Sequence, residues 1–347
     1  MSTSTYPSLA RIGLRCGSAQ RQRGLTLIEF MISITIGMII VVALTLLIAR
    51  QSATQNEFEK SSRQIENGRY AMRLLSDEVQ MAGYYGEFSE IGTATPPSLD
   101  PCSTDVTVML NLMVYPVQGY DSPDPSLFSC IPAGNHKPNT DILVLRRVET
   151  ELIDIPSAAA TQVYVQAGLT GSGLEFEMRL GAGSSPGSFD LYQKNRTTLA
   201  SLRRYVVRIY FVSPCSVTPC GTSATDGGNP IPTLKMVELS SAGTMSSITP
   251  LVEGIENMQI EYGVDSVSSD GSPDAFVSST AAWDNVMAVR IHLVARNNDR
   301  SPDYIDTKVY QLGGGVAYSV SSADQPYKRR VFSQLVRLVN PSGRRDK

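Results

Sequence analysis

One carboxylate, Glu29, stands in an otherwise uncharged run of 25 residues, Leu25 to Ala49 (LTLIEFMISITIGMIIVVALTLLIA). A carboxylate near the apolar end of a membrane helix costs a few kcal/mol, roughly, on insertion scales, so a residue in this position has work to do or sits shallow enough to reach headgroups. The chemistry it offers is the pairing of a cation in a place without water. Directly before it runs Arg23-Gly24-Leu25-Thr26-Leu27-Ile28-Glu29, where a small residue marks the junction between a basic leader and the apolar run. That junction is a candidate for peptide-bond cleavage after Gly24, which would make Leu25 the new N-terminus.

Five cysteines, Cys16, Cys102, Cys130, Cys215 and Cys220, are an odd number for an exported chain. Loss of a leader containing Cys16 leaves four, enough for two disulfides in an oxidising compartment. Pairing nearest neighbours gives Cys102 with Cys130 and Cys215 with Cys220. The first bond would restrain a proline-rich segment and contribute about 3 kcal/mol on the chain-entropy account. Metal chemistry has less support: there is no CxxC, and His136 and His292 have no ligand spacing around them, so each reads as a core or surface histidine. Asp265, Asp270 and Asp274 in VDSVSSDGSPDAF could offer oxygen to Ca²⁺. The spacing is not that of an EF-hand and no closing Glu follows, so a surface turn is the expectation, and no cofactor is expected. Gly183-Ser184-Ser185-Pro186-Gly187 has the GxSxG spacing of a nucleophile elbow, but Pro186 lacks the N–H that the oxyanion needs, so a loop is expected.

As a helix, residues 25–49 would be about 37 Å long, enough to cross a bilayer core of about 30 Å. Arg11, Arg15, Arg21 and Arg23 precede it without an acid, which orients the N-terminus toward the cytoplasm and the rest outside. A secretory signal has a shorter apolar stretch and a cleavage signal after it. Beyond Arg50, no proline occurs as far as Ala82; Phe58, Ile65, Met72 and Val79 recur every seven residues, with Leu75 and Ala82 three after the last two. This stripe predicts that the helix continues over 51–82 against a packed surface. Gly83 and Gly86 supply a stop, and Pro96-Pro97 prevents a simple restart.

Residues 91–139 turn to Pro, Ser, Asp and Gly and read as a loop region. After them come short β-branched runs: Asp141 to Val148, Gln162 to Gln166, Leu174 to Met178, Arg204 to Val212, Leu234 to Leu239, Met258 to Tyr262, Val286 to Ala295 and Ile305 to Leu312. With the helix in front and strands behind, the expected fold is α+β with a mainly antiparallel sheet. The expected division is a leader (1–24), a membrane-spanning half-helix (25–50), a soluble half-helix (51–82) and a β-rich domain (83–347). Lys328, Arg329 and Arg330, and Arg344, Arg345 and Lys347, read as solvated charge. The net charge of −3 becomes −7 without the leader, 26 basic residues against 33 acidic ones, which disfavours nucleic acid as a partner.

The junction at Arg23 to Glu29 resembles the type IV prepilin signature, with Leu25 where Phe is usual and a longer leader than that of typical major pilins. MAGYYG (Met81 to Gly86), LVEGIENMQIEYGVD (Leu251 to Asp265), WDNVMAVRIHLVAR (Trp283 to Arg296) and YKRRVFSQLVRLVNP (Tyr327 to Pro341) resemble the PilW family of minor pilins. The resemblance implies a pilin-like fold and cleavage after Gly24 by a prepilin peptidase that methylates the amine of Leu25. It also implies that Glu29, as the fifth mature residue, pairs with the N-terminal amine of an adjoining subunit. It implies a low-abundance subunit that helps to start the filament, stays near its tip, and supports adhesion and twitching motility. The partners implied are other minor pilins, the major pilin and a tip adhesin; the location is the inner membrane and then the pilus. A pseudopilin of a type II secretion system would share the N-terminal physics. A membrane-anchored periplasmic enzyme with dispersed catalytic residues is a third reading, which hydrolytic activity in the purified domain would favour.

Overall fold

The computed structural model describes residues 24, 26–87, 100–124, 127–171, 176–183, 185–221 and 225–345. The leader arginines, Cys16, Leu25, Pro96-Pro97, Ser184 and Lys347 lie outside the described residues. The chain divides into two compact units, Met1–Asn56 and Glu57–Lys347.

One helix, α1 (Leu27–Met81, 55 residues), belongs to both units. In the first unit its described residues are all exposed, apolar on every side from Leu27 to Ile48. Its hydroxyls are satisfied inside the helix: Ser33 Oγ donates to Glu29 O at 2.7 Å and Thr45 Oγ1 to Val41 O at 2.7 Å. That is the arrangement a segment needs where no water is available to accept. In the second unit α1 buries Gln64, Gly68, Ala71, Met72, Leu75, Ser76 and Val79. The stripe read from the sequence is therefore correct for Met72, Leu75, Val79 and Ala82, but Phe58 is 74% exposed. A strict seven-residue repeat drifts by about 20° per heptad round a straight helix, so it leaves the packed face after two or three repeats. Gly83, at φ +72°, ends α1, and its N–H donates to Arg146 O at 2.9 Å.

The region expected as loop contains two elements. These are α2 (Val106–Leu112), capped by Asp105 through the amides of Thr107 at 2.7 Å and Val108 at 3.1 Å, and β1 (Val117–Tyr120). Composition concealed them because both are short, and because the cap uses the Asp-Ser-Pro chemistry that also makes turns. There follow β2 (Ile142–Val148), β3 (Val163–Leu169), β4 (Phe176–Ala182), β5 (Leu202–Ser213), β6 (Thr233–Glu238), β7 (Thr249–Glu253), β8 (Ile255–Val264) and β9 (Ala275–Val277). Then come β10 (Val286–Arg296), β11 (Val309–Gln311), β12 (Ala317–Ser319), β13 (Arg329–Arg337) and α3 (Val339–Arg345). The seven-stranded sheet runs β1-β2-β5-β3-β4, with β6 on β5 and β7 on β6; the four-stranded sheet runs β13-β10-β8-β9; β11 and β12 form a hairpin. All of these pairings are antiparallel, as expected.

Strands β2 and β5 read as continuous apolar runs because both their faces are covered. Leu143, Leu145, Tyr210 and Val212 join the core that holds α1 and the four-stranded sheet, while Ile142, Val144, Ile209 and Phe211 point the other way, to Met109 of α2 and Met113 just after it. Where β8 crosses β1, a Cβ built at Gly119 would lie 1.6 Å from the hydroxyl of Tyr262, so only glycine fits. The expected surface charge of Arg329 is corrected: its side chain is fully buried with Glu256 and Asp306, bonded to Glu256 Oε1 at 3.0 Å and Asp306 Oδ2 at 3.2 Å. Arg344 and Arg345 are likewise packed, donating to Gly83 O at 3.0 Å and Asp265 O at 3.1 Å. With Asn340, which donates to Ala82 O at 3.1 Å, α3 thus covers carbonyls that α1 leaves open at its C-terminus.

Candidate functional site

The processing junction is described at Gly24 and from Thr26 onward. Thr26 caps α1, its Oγ1 accepting from the N–H of Glu29 at 3.3 Å and its carbonyl from Phe30 at 3.1 Å. Thr26-x-x-Glu29 is the spacing of a capping box, a signal present in the sequence and missed there. It places Glu29 in the first turn, where the helix dipole favours a negative charge. Gly24 is exposed, with nothing within 4 Å of a Cβ built there.

In the second unit, the half of α1 after Asn56 is held by polar contacts at both ends and by the core between. Glu57 Oε2 receives Lys328 Nζ at 2.6 Å and Ser301 Oγ at 2.8 Å, and Oε1 receives Lys60 Nζ at 3.0 Å. The Lys328 bond outweighs desolvation and, with Lys60 and Ser301, holds this carboxyl down at about 2. One turn on, Lys60 Nζ reaches Arg300 O at 2.8 Å, and Gln64 Nε2 bridges Ala295 O and Lys328 O at 2.7 and 2.8 Å. At the far end Glu78 sits between Arg208, which donates to it, and Arg147, whose Nε is 3.5 Å away. Arg208 also reaches Glu238 at 2.7 Å, which continues the ion pairs across β5 and β6. These partners lie far apart in sequence, so no spacing showed them.

Both disulfides occur as paired from the sequence: Cys102–Cys130, with Cα atoms 5.6 Å apart, and Cys215–Cys220, 5.8 Å apart. The first encloses α2 and β1. The second closes a loop pinned by Lys235, whose Nζ donates to Thr218 Oγ1 at 3.1 Å, and by Asp226, which accepts from Ser216 N at 3.0 Å. Burial pushes the Lys235 amine down to about 8.

The remaining candidates are ordered by their own surroundings. Asp265 is buried rather than on a surface turn, and its carboxylate accepts from the amides of Ser269 at 2.8 Å and Gly271 at 2.9 Å. Asp274 accepts from Ser266 and Val267, both at 2.8 Å, and Asp270 from Ser272 at 2.9 Å. The three carboxylates therefore bind the backbone of their own turn. Among the described residues, no group of three or more His, Cys, Asp or Glu side chains is placed to hold a metal ion. His136 is buried, its Nε2 3.0 Å from Thr140 O, and desolvation lowers its pKa. His292 lies between Ser333 Oγ, 2.8 Å from Nδ1, and Glu261 Oε2, 3.1 Å from Nε2; Arg290 shares that carboxylate at 3.0 Å, so the row ties three neighbouring strands together. Pro186–Ser188 forms a short 3-10 turn shortly after β4 ends at Ala182.

Residues 209–340 match the family described as type IV pilus-assembly protein W, and residues 19–45 match the prokaryotic N-terminal methylation motif. No curated protein and no solved structure matches the chain. The first match takes in β6 to β13 and the last five residues of β5; the second takes in the junction at Gly24 and most of the exposed apolar part of α1. An exposed apolar helix that starts at a methylation motif, and antiparallel sheets whose later strands carry the assembly-protein match, together match this chain to the PilW family of type IV minor pilins.

Proposed function

We propose that this chain is a minor pilin that starts type IV pilus assembly and stays at or near the filament tip, where it supports adhesion and twitching motility. A prepilin peptidase cuts after Gly24 and methylates the amine of Leu25. The apolar part of α1 first holds the protein in the inner membrane with its N-terminus cytoplasmic, then packs among the helices of other minor pilins and the major pilin. In that apolar bundle an unpaired amine is heavily penalised, and Glu29 neutralises the amine of an adjoining subunit.

The observation that carries this reading is the position of Glu29. It is the only charged residue between Gly24 and Arg50, and it sits in the first turn of α1, whose described residues up to Asn56 are all exposed. Replacing it with Ala removes the charge and leaves the rest of the anchor intact. In a deletion strain complemented with Glu29→Ala, membrane insertion and cleavage are expected to persist, while surface pili and the amount of this subunit in sheared filaments fall. Normal piliation with normal incorporation would refute the role given to Glu29. Normal twitching in the deletion strain itself, with a defect in protein secretion, would assign the chain to a secretion pseudopilus instead.

A further inference from the structure

Strand β13 ends the four-stranded sheet, pairing with β10 on one side only. Its register with β10 runs unbroken from Ala288↔Arg337 to Arg296↔Arg329, with no bulge and no proline. The N–H of Asn297 donates to Lys328 O at 3.1 Å and the N–H of Leu338 to Met287 O at 2.8 Å. In an antiparallel pair the bonded residues alternate, so 328, 330, 332, 334, 336 and 338 direct their main-chain groups at β10. Val331, Ser333 and Leu335 direct theirs outward, away from the sheet. Natural edges are usually blunted by shortness, proline or bulges. The other edges of the two sheets are shorter: β1 has four residues, β9 three, β4 seven, and β7 has five including Pro250. The nine-residue β13 has neither shortness, proline nor bulge, and its exposed charges, Arg330 and Arg337, are both cationic.

Its side chains divide by face. Phe332 and Val336 face α1 in the core, and α1 and β13 leave between them an open cleft of about 320 Å³, lined among others by Arg69, Arg73, Phe332 and Gln334. Arg69 and Arg73 are exposed there, and the only acid on this lining, Asp77, is already 3.8 Å from Arg73. Arg330 lies on the same face, 5.9 Å from the Phe332 ring. On the opposite face Val331 is half-buried and Leu335 is 53% exposed. An added strand would thus meet cations on the α1 side and, on the other, the apolar Val331 and Leu335 with Ser333 between them and Arg337 beyond.

We propose that β13 is a docking edge that takes up an extended strand of a partner polypeptide whose side chains alternate acidic and apolar. The outward N–H and C=O groups of Val331, Ser333 and Leu335 supply the ladder. The acidic side chains of the partner lie toward Arg69 and Arg73, and its apolar ones beside Val331 and Leu335. A second copy of β13 does not meet this requirement: antiparallel self-pairing centred on Ser333 sets Arg329 opposite Arg337 and brings a second basic strand to a basic cleft. The inference rests on the sheet edge and the cationic cleft beside it and does not depend on the function proposed above.

The test uses the full chain in detergent micelles and a fluorescent, end-blocked hexapeptide of alternating Glu and Val, read by anisotropy. Controls are the same peptide with Lys for Glu, and one N-methylated at alternate residues so that it cannot complete the ladder. Saturable binding of the Glu-Val peptide, lost in both controls, is the expected result. Arg69→Glu with Arg73→Glu, both on the exposed helix surface, should weaken the Glu-Val peptide about tenfold or more and admit the Lys-Val peptide, as reversal of two exposed ion pairs requires. Leu335→Pro, which removes one outward N–H at an exposed position, should weaken binding with little change of Tm; if that variant misfolds, the helix variant decides. No binding of the Glu-Val peptide, equal binding of the N-methylated one, or indifference to the helix charge reversal would overturn the proposal.

Discussion

Gly68 on α1 lies directly against the ring of Phe332 on β13: a Cβ built at Gly68 would come within 2.2 Å of the ring. A glycine inside a helix costs about 1 kcal/mol relative to alanine, so a close approach must justify it. Gly68→Ala is therefore expected to destabilise the second unit by about 1 to 2 kcal/mol, the overpacking cost exceeding the gain in helix propensity. In a Phe332→Ala background the same change should become stabilising by about 1 kcal/mol. Urea unfolding followed through the single tryptophan, Trp283, buried edge-on to Tyr262 at 4.8 Å, reads both. Additive effects of the two substitutions would show that the contact is not limiting.

Asp141 gives the protein a pH dependence in the neutral range. Its carboxyl is buried, accepting from Ile260 N at 2.7 Å and Ser122 N at 3.3 Å, with no cation bonded to it among the described residues, and desolvation pushes it up to about 7. Because the folded value exceeds the ordinary one of 3.8, the native state holds a proton that the unfolded chain has released. Its contribution is complete below about pH 4 and is lost as pH rises through 7. Between pH 6 and 7 this group alone should remove about 1 kcal/mol of stability; the slope is about 1.4 kcal/mol per pH unit between about pH 4 and 6 and falls away above pH 7. Asp141→Asn lacks the titration, so the difference between wild-type and variant urea midpoints should narrow or reverse with rising pH. A difference that stays constant from pH 6 to 8 would argue against the elevated value.

Glu256 is the common anion of a buried group of cations. Arg329 bonds it at 3.0 Å, Arg296 lies 3.6 Å away and Lys137 3.8 Å away, and the side chains of Glu256, Arg329 and Asp306 are fully buried. Removing one partner from a buried ion pair costs about 3 to 5 kcal/mol, because the other charge stays behind. Glu256→Gln should cost that much, and Glu256→Gln with Arg329→Met should cost less than the single change. Thermal unfolding of the three proteins checks the order.

At the processing junction, Gly24→Val should block cleavage and leave a precursor longer by 24 residues, visible as a slower band in whole-cell immunoblots. Glu29→Ala should instead give the mature band. If Glu29→Ala also accumulated precursor, its role would lie in peptidase recognition rather than in subunit pairing.

How far the residues announced this structure depended on how local each interaction is. The anchor, the stop at Gly83 and the core strands β2, β5, β8 and β10 follow from runs and periods within a few turns of chain, and so do both disulfides, which join nearest cysteines. Strand β13 passed unread as a strand because an edge carries Arg330, Gln334 and Arg337 where a central strand carries Val and Ile. Arg329 looked solvated because Glu256 and Asp306 are 73 and 23 residues away. Phe58 was placed in the core because a seven-residue repeat was extended one heptad too far, and Thr26-x-x-Glu29 was legible as a cap but was overshadowed by the charge of Glu29.

The meeting of Gly119 with Tyr262 acts as a gauge for assembly of the two sheets. The smallest slip of β1 that keeps its side chains on the same faces is two residues, which would bring Val117 or Asp121 beneath the phenol. The space there does not admit even a Cβ, so either slip would force β8 away from β1 and open the core in which both sheets meet. A mis-registered hairpin of β1 and β2 can thus form its own hydrogen bonds but cannot be sealed by the second sheet, and the penalty falls at the moment of closure, when the error can still be undone.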